Sequence, residues 1–414
     1  MISNLIGFRI FRKPKVNFHE INTGIGYEWH TFSFNFTLQT SKKAYCIYSN
    51  HTLMNYPVSS SANPNRKSYS IYLFISLAVL LAAVIIIGGY RIVFSAETAS
   101  AKETASVATT ETKPAPEVKA PVVSDVEDYN SKMAHIVNGD TTGRWPVKKD
   151  LPVAGSILPF KRIVAFYGNL YSKQMGILGE LPPAEMLAKL QQEVAAWQKA
   201  DSVLEVVPAL HYIAVTAQGS PGKGNTYRLR MPFHQIDSVL SMASKINALV
   251  FIDVQVGHST LQQELPELEK YLKMPNVHLG IDPEFSMKGG QAPGKVVGTF
   301  DAADINYATE YLAKLVKENS LTPKIFVVHR FTQKGVTNYQ QIKLRQEVQI
   351  VMDMDGWGPP ELKKGTYRHF IQKEPVEYTG FKLFYKNDTK NNGRLLSIPE
   401  VLALKPQPVY IQYQ

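Results

Sequence analysis

Short apolar segments alternate with amphipathic segments along the chain after residue 160. The apolar segments are rich in β-branched residues and have the length of strands, whereas the amphipathic ones repeat apolar residues at the helical spacing of three and four. The predicted strands are residues 162–168, 210–217, 249–255, 277–282, 324–329, 348–353, 381–386 and 409–413. The predicted helices between them include residues 183–199, 234–246, 261–272 and 302–318.

Buried strands that alternate with helices are typical of a parallel sheet that is covered on both faces. The number of strands and the length of the region match a (β/α)8 barrel. An open doubly wound sheet is the alternative, but no glycine-rich phosphate loop follows the first predicted strand. We therefore predict an α/β fold, a TIM-like (β/α)8 barrel, in residues 151–414.

A second kind of pattern precedes this region, because residues 71–90 carry no charged side chain. As a helix these residues are about 30 Å long, which is the thickness of a bilayer core. The preceding residues 1–70 hold eight basic side chains and two acidic ones, and therefore +6 of the net charge of +10. The positive-inside rule then places residues 1–70 in the cytoplasm. A cleaved signal peptide is the alternative, although its apolar region is usually shorter.

We predict a single-pass membrane protein with a transmembrane helix at residues 71–92 and the barrel outside the cell membrane. Residues 93–150 are rich in Ala, Thr, Glu, Lys and Pro, so we expect a flexible linker there. Residues 1–53 show no sustained periodicity, and Met54 precedes a short polar stretch and the apolar segment. We hypothesise that translation begins at Met54.

Charge and cysteine content exclude several classes of function for the barrel. The remaining +4 of net charge is spread over residues 71–414 without a basic cluster, so we expect no nucleic-acid partner. The one cysteine, Cys46, lies before the apolar segment. The barrel therefore contains no disulfide, cysteine nucleophile or thiolate metal site.

The chemistry of such a barrel lies at the carboxyl ends of its strands, where alternating residues point to the interior. Acidic side chains from three predicted strands meet this condition, together with polar and aromatic ones. They are Tyr167, Asp253, Gln255, Asp282, Glu284, His329, Asp353, Asp355, Trp357 and Tyr385. Two lysines of the seventh strand, Lys382 and Lys386, point either to these acids or to solvent.

Several of these residues have a purely structural alternative. Asp282 and Pro283 could cap and start a helix instead of forming an acidic pair with Glu284. Asp253 could cap the next helix, and the Asp-Gly step at Asp355 could be a simple turn beside a packed Trp357. His329 is equally compatible with a hydrogen-bonded core histidine.

Five segments resemble an uncharacterised bacterial family of secreted or lipid-anchored proteins. They are FIDVQVGHS (251–259), LGIDPEFSM (279–287), PGKVVGTFDAADIN (293–306), FVVHRFT (326–332) and VMDMDGWG (351–358). The resemblance implies a barrel of the glycoside-hydrolase superfamily type over residues 160–414, without an assigned activity. The Asp-x-Glu step at Glu284 is also similar to that of barrel glycosidases, although no Glu nucleophile ends the seventh strand.

The leading hypothesis is a glycan-active or glycan-binding barrel that acts on a carbohydrate or cell-wall polymer without a metal or other cofactor. Glu284 would be the general acid, Asp282 would tune its proton affinity, and Asp253 or Asp355 would be the partner carboxylate. The expected substrate-binding residues are Tyr167, Gln255, His329, Asp353, Trp357 and Tyr385. The alternatives are a metal-dependent hydrolase and a non-catalytic surface interaction domain. The metal ligands would then be Asp253, Asp282, Glu284, His329 and Asp355.

Overall fold

The structure is a computed structural model that describes residues 44–47, 53–56 and 125–414. Strands Ala44–Ile47 and Leu53–Tyr56 form a two-stranded antiparallel pair. The predicted membrane helix and most of residues 1–124, including the first part of the predicted linker, lie outside the described residues. No helix in the described part of the chain is long and apolar enough to cross a bilayer.

Eight parallel strands close into a barrel, which confirms the predicted barrel architecture. Each strand pairs with the next one along the chain, and the last strand pairs with the first. The strands are β1 (Lys161–Gly168), β2 (Glu205–Ala217), β3 (Leu249–Val254), β4 (Val277–Ile281), β5 (Lys324–Arg330), β6 (Val348–Met354), β7 (Tyr378–Leu383) and β8 (Tyr410–Tyr413).

Helices cover the outside of the barrel, and one further helix precedes the first strand. They are α1 (Val126–Val137), α2 (Ile177–Glu180), α3 (Pro183–Ala200), α4 (Phe233–Ser244), α5 (Leu261–Leu272), α6 (Ala302–Glu318), α7 (Pro360–Tyr367) and α8 (Ile398–Leu402). The connection from β5 to β6 contains two 3-10 turns, Gln333–Gly335 and Tyr339–Gln341. The outward side chains of the strands pack with these helices in one continuous apolar layer.

The interior of the barrel changes from apolar to polar along its axis. Near the amino ends of the strands it is filled by residues such as Ile163, Ile325 and Val327. Near the carboxyl ends the inward positions hold buried histidines, carboxyl groups and a lysine. This polar end is where the predicted chemistry lies.

Helix α1 corrects the predicted linker, which was placed over residues 93–150. Asp125 caps the helix by accepting a hydrogen bond from the amide of Asp128 at 2.8 Å. Tyr129, Met133 and Ile136 recur at spacings of four and three and bury themselves against the amino ends of the barrel strands. A flexible linker that reaches residue 150 is therefore wrong, because these three apolar side chains fix the segment to the barrel.

Strand β7 corrects a second boundary. It spans Tyr378–Leu383, whereas the prediction was residues 381–386. The error arose because Phe384 and Tyr385 continue the apolar pattern beyond the last strand residue. Lys382 points into the barrel, whereas Lys386 lies beyond the strand, is exposed and pairs with Glu180 at 2.6 Å.

Candidate active site

A cavity of about 360 Å3 opens at the carboxyl ends of the strands. Its lining combines polar side chains from several strands with apolar side chains from the loops above them. The polar ones are Tyr167, Gln255, Asp282, Glu284, Asp355, Thr366, Lys382 and Gln414, and the larger apolar ones are Phe285, Val297, Phe331, Trp357, Leu362 and Phe384. The structure thus brings six of the ten predicted mouth residues together: Tyr167, Gln255, Asp282, Glu284, Asp355 and Trp357.

Glu284 and Asp282 follow directly after β4. Asp282 is extended, at φ −119° and ψ 93°, and its side chain makes no capping hydrogen bond to the short 3-10 turn Pro283–Phe285. The helix-cap alternative for Asp282 is therefore wrong. Instead its Oδ2 accepts a hydrogen bond from Nε2 of Gln255 at 3.3 Å. Gln255 is itself fixed because its Oε1 accepts from the amide of Ala217 at 3.1 Å.

The surroundings of these two carboxyl groups favour their protonated forms. Burial raises the pKa of Glu284 well above its ordinary value, and the nearby carboxylates of Asp282 and Asp355 raise it further. Burial likewise raises the pKa of Asp282 to about 7. Lys382 and His329 oppose both shifts but do not outweigh them. A carboxyl group at the cavity wall that keeps its proton can act as a general acid.

Asp355 is the third carboxyl group of the cavity, and it is held in an ion pair. Its Oδ1 lies 3.0 Å from Nζ of Lys382, and its Oδ2 lies 3.4 Å from Nδ1 of His329. Lys382 also lies over the ring of Tyr167, with Nζ 3.8 Å from the ring centroid. The cavity therefore contains acidic groups of two kinds. The surroundings of Glu284 and Asp282 favour the protonated form, whereas Asp355 is paired with cationic side chains.

Asp253 does not line the cavity, which corrects its prediction as a partner carboxylate at the mouth. Its side chain is fully buried one layer below Gln255. The Tyr167 hydroxyl donates to its Oδ2 at 2.9 Å, and Nε2 of His211 lies 3.3 Å from its Oδ1. Nε2 of His329 approaches the same oxygen at 3.6 Å.

His329 and Asp353 belong to the same buried layer, so neither is placed where a substrate could touch it. Nδ1 of His329 lies 3.2 Å from Oδ2 of Asp353. The corrections for Asp253 and Asp353 have the same physical reason, which is depth. Alternation identifies residues that point inward, but these two lie two residues before Gln255 and Asp355, which reach the cavity.

The buried layer carries a defined pattern of charge. Burial opposes protonation of His329, but Asp355, Asp253 and Asp353 together raise its pKa well above the ordinary value. Burial likewise opposes ionisation of Asp253, but the nearby imidazoles of His211 and His329 lower its pKa. Burial lowers the pKa of His211 to about 4, so this imidazole is neutral at pH 7. His329 and Asp253 thus form a buried cation and anion.

Tyr385 does not line the cavity either. Its ring stacks on Tyr413 at 5.1 Å, and its hydroxyl donates to Oε1 of Glu193 on α3 at 2.7 Å. It therefore packs between the barrel and α3 rather than in the mouth. The predicted position of Tyr385 at the mouth is wrong, because Lys382 and Phe384 take the inward positions and Tyr385, one residue further along, faces α3.

Sequence reasoning missed His211, Gln412 and Gln414. Nδ1 of His211 lies 2.5 Å from the hydroxyl of Tyr410, and the Nε2 of Gln412 approaches the same nitrogen at 3.1 Å. Gln414 lines the cavity. The signal is present in the sequence, because His211 shares the inward face of β2 with Ala209 and Ile213. Gln412 likewise shares the inward face of β8 with Tyr410, and Gln414 follows directly after the strand.

A metal site can be assessed only for the described residues. There His211, Asp253 and His329 bring ligand-type atoms within 4.8 Å of one another. Both imidazoles approach a single oxygen of Asp253, and His211 is held at its other nitrogen by Tyr410 and Gln412. The mouth acids Asp282, Glu284 and Asp355, which a metal-dependent hydrolase was expected to use, do not belong to this group.

No protein-family model matches the sequence, and no curated protein matches it. The resemblance to an uncharacterised bacterial family therefore stays a prediction. Several solved structures show a similar chain trace. One is a ruminal GH26 endo-β-1,4-mannanase at 11% identity and a TM-score of 0.30, covering 61% of this chain and 59% of that one. This chain thus spans less than two thirds of the mannanase.

Two further structures are similar at the same level. A hyperthermophilic endo-β-1,4-glucanase in complex with substrate has 9% identity and a TM-score of 0.28, covering 50% of this chain and 77% of that one. GH26C from Muricauda sp. MAR_2010_75 has 11% identity and a TM-score of 0.26, covering 61% of this chain and 70% of that one. At these values the activities of the three proteins are not transferred to this chain.

Two interior glycines make room for the buried polar layer. A Cβ atom on Gly280 would lie 2.3 Å from Nε2 of His211 and 2.6 Å from Oδ1 of Asp253, and one on Gly380 would lie 2.4 Å from Oδ1 of Asp353. We expect Gly280→Ala to lower the free energy of unfolding by at least about 2 kcal/mol, because it overpacks a rigid core. Urea denaturation followed by circular dichroism measures this.

Gly365→Ala is the matched control, because no atom lies within 4 Å of its Cβ position in α7. It should leave stability unchanged or raise it by about 0.5–1 kcal/mol through its helix propensity. Equal effects of the two substitutions would show that the polar layer is not tightly packed around Gly280.

Proposed function

We propose that this barrel hydrolyses glycosidic bonds in a carbohydrate polymer or glycoconjugate, with Glu284 as the proton donor. The observation that carries the proposal is the different setting of two carboxyl groups in one cavity. The surroundings of Glu284 favour its protonated form, whereas Asp355 is paired with Lys382 and His329. Glycoside hydrolysis requires such a division between an acid and a carboxylate.

In the proposed reaction Glu284 transfers its proton to the glycosidic oxygen as the bond between that oxygen and the anomeric carbon breaks. Positive charge develops at the anomeric carbon and is stabilised by Asp355. Asp355 then either attacks this carbon or accepts a proton from the water that does so, and water supplies the new hydroxyl group. Asp282 favours the protonated form of Glu284, and Trp357 offers an exposed ring beside the cavity.

We also propose that the barrel is held at the outer side of the cell membrane by one helix, with the N-terminus in the cytoplasm. The support is the uncharged segment at residues 71–90 and the basic residues before it. The full chain should remain in the membrane fraction after an alkaline carbonate wash, and deletion of residues 71–90 should release it. Release of the undeleted chain by the wash would rule out a membrane-spanning anchor.

Glu284→Gln should lower the turnover of a responsive glycan by about 10²–10⁴-fold, because the amide cannot donate an ionisable proton. The measurement is release of reducing ends from a panel of polysaccharides and oligosaccharides. Glu318→Gln, an exposed glutamate at the end of α6, is the matched control and should keep full activity.

Undiminished turnover by Glu284→Gln would remove Glu284 from the mechanism. A metal-assisted hydrolase is distinguished in the same assay, since a chelator would abolish its activity and a divalent ion would restore it. Binding of a glycan without turnover by the unsubstituted chain would instead assign a carbohydrate-binding role.

Asp282→Asn should shift the alkaline limb of the pH–rate profile toward lower pH by about one unit. Burial is the larger cause of the raised pKa of Glu284, and the charge of Asp282 adds to it. Without that charge Glu284 loses its proton at a lower pH, so activity disappears earlier as the pH rises. Asp150→Asn, an exposed aspartate, should leave the profile unchanged. An unshifted limb would contradict the coupling between Asp282 and Glu284.

A further inference from the structure

An exposed group of apolar side chains borders the cavity, and we call it the apolar rim: Val296, Val297, Trp357 and Leu362. Their exposed fractions lie between 40% and 57%. Val297, Trp357 and Leu362 line the same cavity as Glu284 and Asp355, and Val296 adjoins Val297. Single exposed apolar residues are ordinary, but a cluster at the opening of a polar cavity marks a surface that binds an apolar group.

One side of the apolar rim is attached directly to the turn that carries Glu284. The amide of Gly298 donates to the backbone carbonyl of Glu284 at 2.7 Å. A Cβ atom on Gly298 would lie 2.6 Å from the carbonyl oxygen of Ser286 and 2.7 Å from that of Pro283, so this contact depends on glycine. Val297 therefore occupies a fixed place beside the acid.

The other side of the apolar rim is attached to the segment that carries Asp355. Trp357 follows Asp355 by two residues, and the next amide, that of Gly358, donates to Oδ1 of Asp388 at 2.9 Å. Asp388 is buried and pairs with Lys363 at 2.6 Å, so the anchor is rigid. Each wall of the cavity thus presents a carboxyl group below and apolar side chains above.

The two halves of the cavity suit different parts of one ligand. Gln255, Asp282, Glu284, Asp355 and Lys382 can hydrogen-bond the hydroxyl groups of a sugar ring. Valine and leucine offer no hydrogen bond, so a second sugar placed against them would gain little beyond contact with Trp357. A volume of about 360 Å3 is near the small end of ligand pockets, which favours one sugar ring with a compact apolar substituent over a long polymer.

We propose that the substrate is a glycoside whose leaving group is apolar, an alkyl or aryl aglycone, and that this group lies on the apolar rim while the sugar ring lies among the acids. This inference rests on the proposed glycosidase function, because the acids define where the scissile bond lies. The apolar rim indicates the chemical class of the leaving group, whereas the acids indicate only the position of the bond that breaks.

The test uses the full chain carrying Glu284→Gln, which we expect to bind without turnover, and n-alkyl β-D-glucopyranosides from methyl to hexyl as probes. Isothermal titration calorimetry should show affinity rising with each added CH2, by up to about fourfold per group if burial is complete. Val297→Thr and Leu362→Gln, added to this background, should each flatten the dependence on chain length. Both positions are exposed, so folding should be unaffected.

Matched controls are Val203→Thr and Leu229→Gln, which make the same changes at exposed residues that do not line the cavity. They should keep the full chain-length dependence. Equal flattening by the controls, or no dependence on chain length at all, would overturn the inference. So would tighter binding of longer oligosaccharides without a gain from alkyl groups, or binding to phosphatidylcholine vesicles without binding to monomeric alkyl glycosides.

The result is independent of the hydrolysis assay. Chain-length-dependent binding by a protein that turns over no glycoside would refute the proposed function while the apolar site remains. Hydrolysis of glycans without any preference for apolar leaving groups would refute the apolar site while the function remains.

Discussion

The burial of one carboxylate, Asp253, is the constraint on which the polar end of the barrel depends. An isolated charge inside a protein costs several kcal/mol, so it persists only when donors and opposite charge surround it. Here the Tyr167 hydroxyl serves one oxygen, and the imidazoles of His211 and His329 approach the other. Because these groups come from β1, β2, β3 and β5, satisfying a single anion ties half of the barrel strands together at their carboxyl ends.

His329 connects this buried anion to the wall of the cavity. This imidazole lies between the buried carboxyl groups and Asp355, which in turn contacts Lys382. The position of Asp355 is therefore fixed from below by a cation that no substrate touches. The polar layer also requires Gly280 and Gly380, because any larger residue at these positions would occupy the space of His211, Asp253 or Asp353. The wall of the cavity is thus only the outer layer of a polar interior two residues deep.

The sequence predicts the barrel and the direction of its side chains, because both follow from periodicity. Asp282, Glu284 and Asp355 were placed at the mouth for that reason, and they are there. The depth of a side chain in the barrel does not follow from periodicity. Asp253 and Asp353 show the same alternation, yet only three-dimensional packing shows that they lie beneath the wall of the cavity. Tyr385 is misplaced because the apolar pattern of β7 does not reveal which of its two faces points inward, and only the structure places Lys382 and Phe384 on the inward face.

Helix α1 has a consequence for how the domain meets its surroundings. It covers the amino ends of the strands, and its last turn is joined to the chain before β8 by the bond from the amide of Gln407 to the carbonyl of Ile136 at 2.7 Å. The polypeptide therefore enters the barrel at the face opposite the cavity. A ligand therefore reaches the cavity without passing α1, because the helix and the opening lie at opposite ends of the barrel.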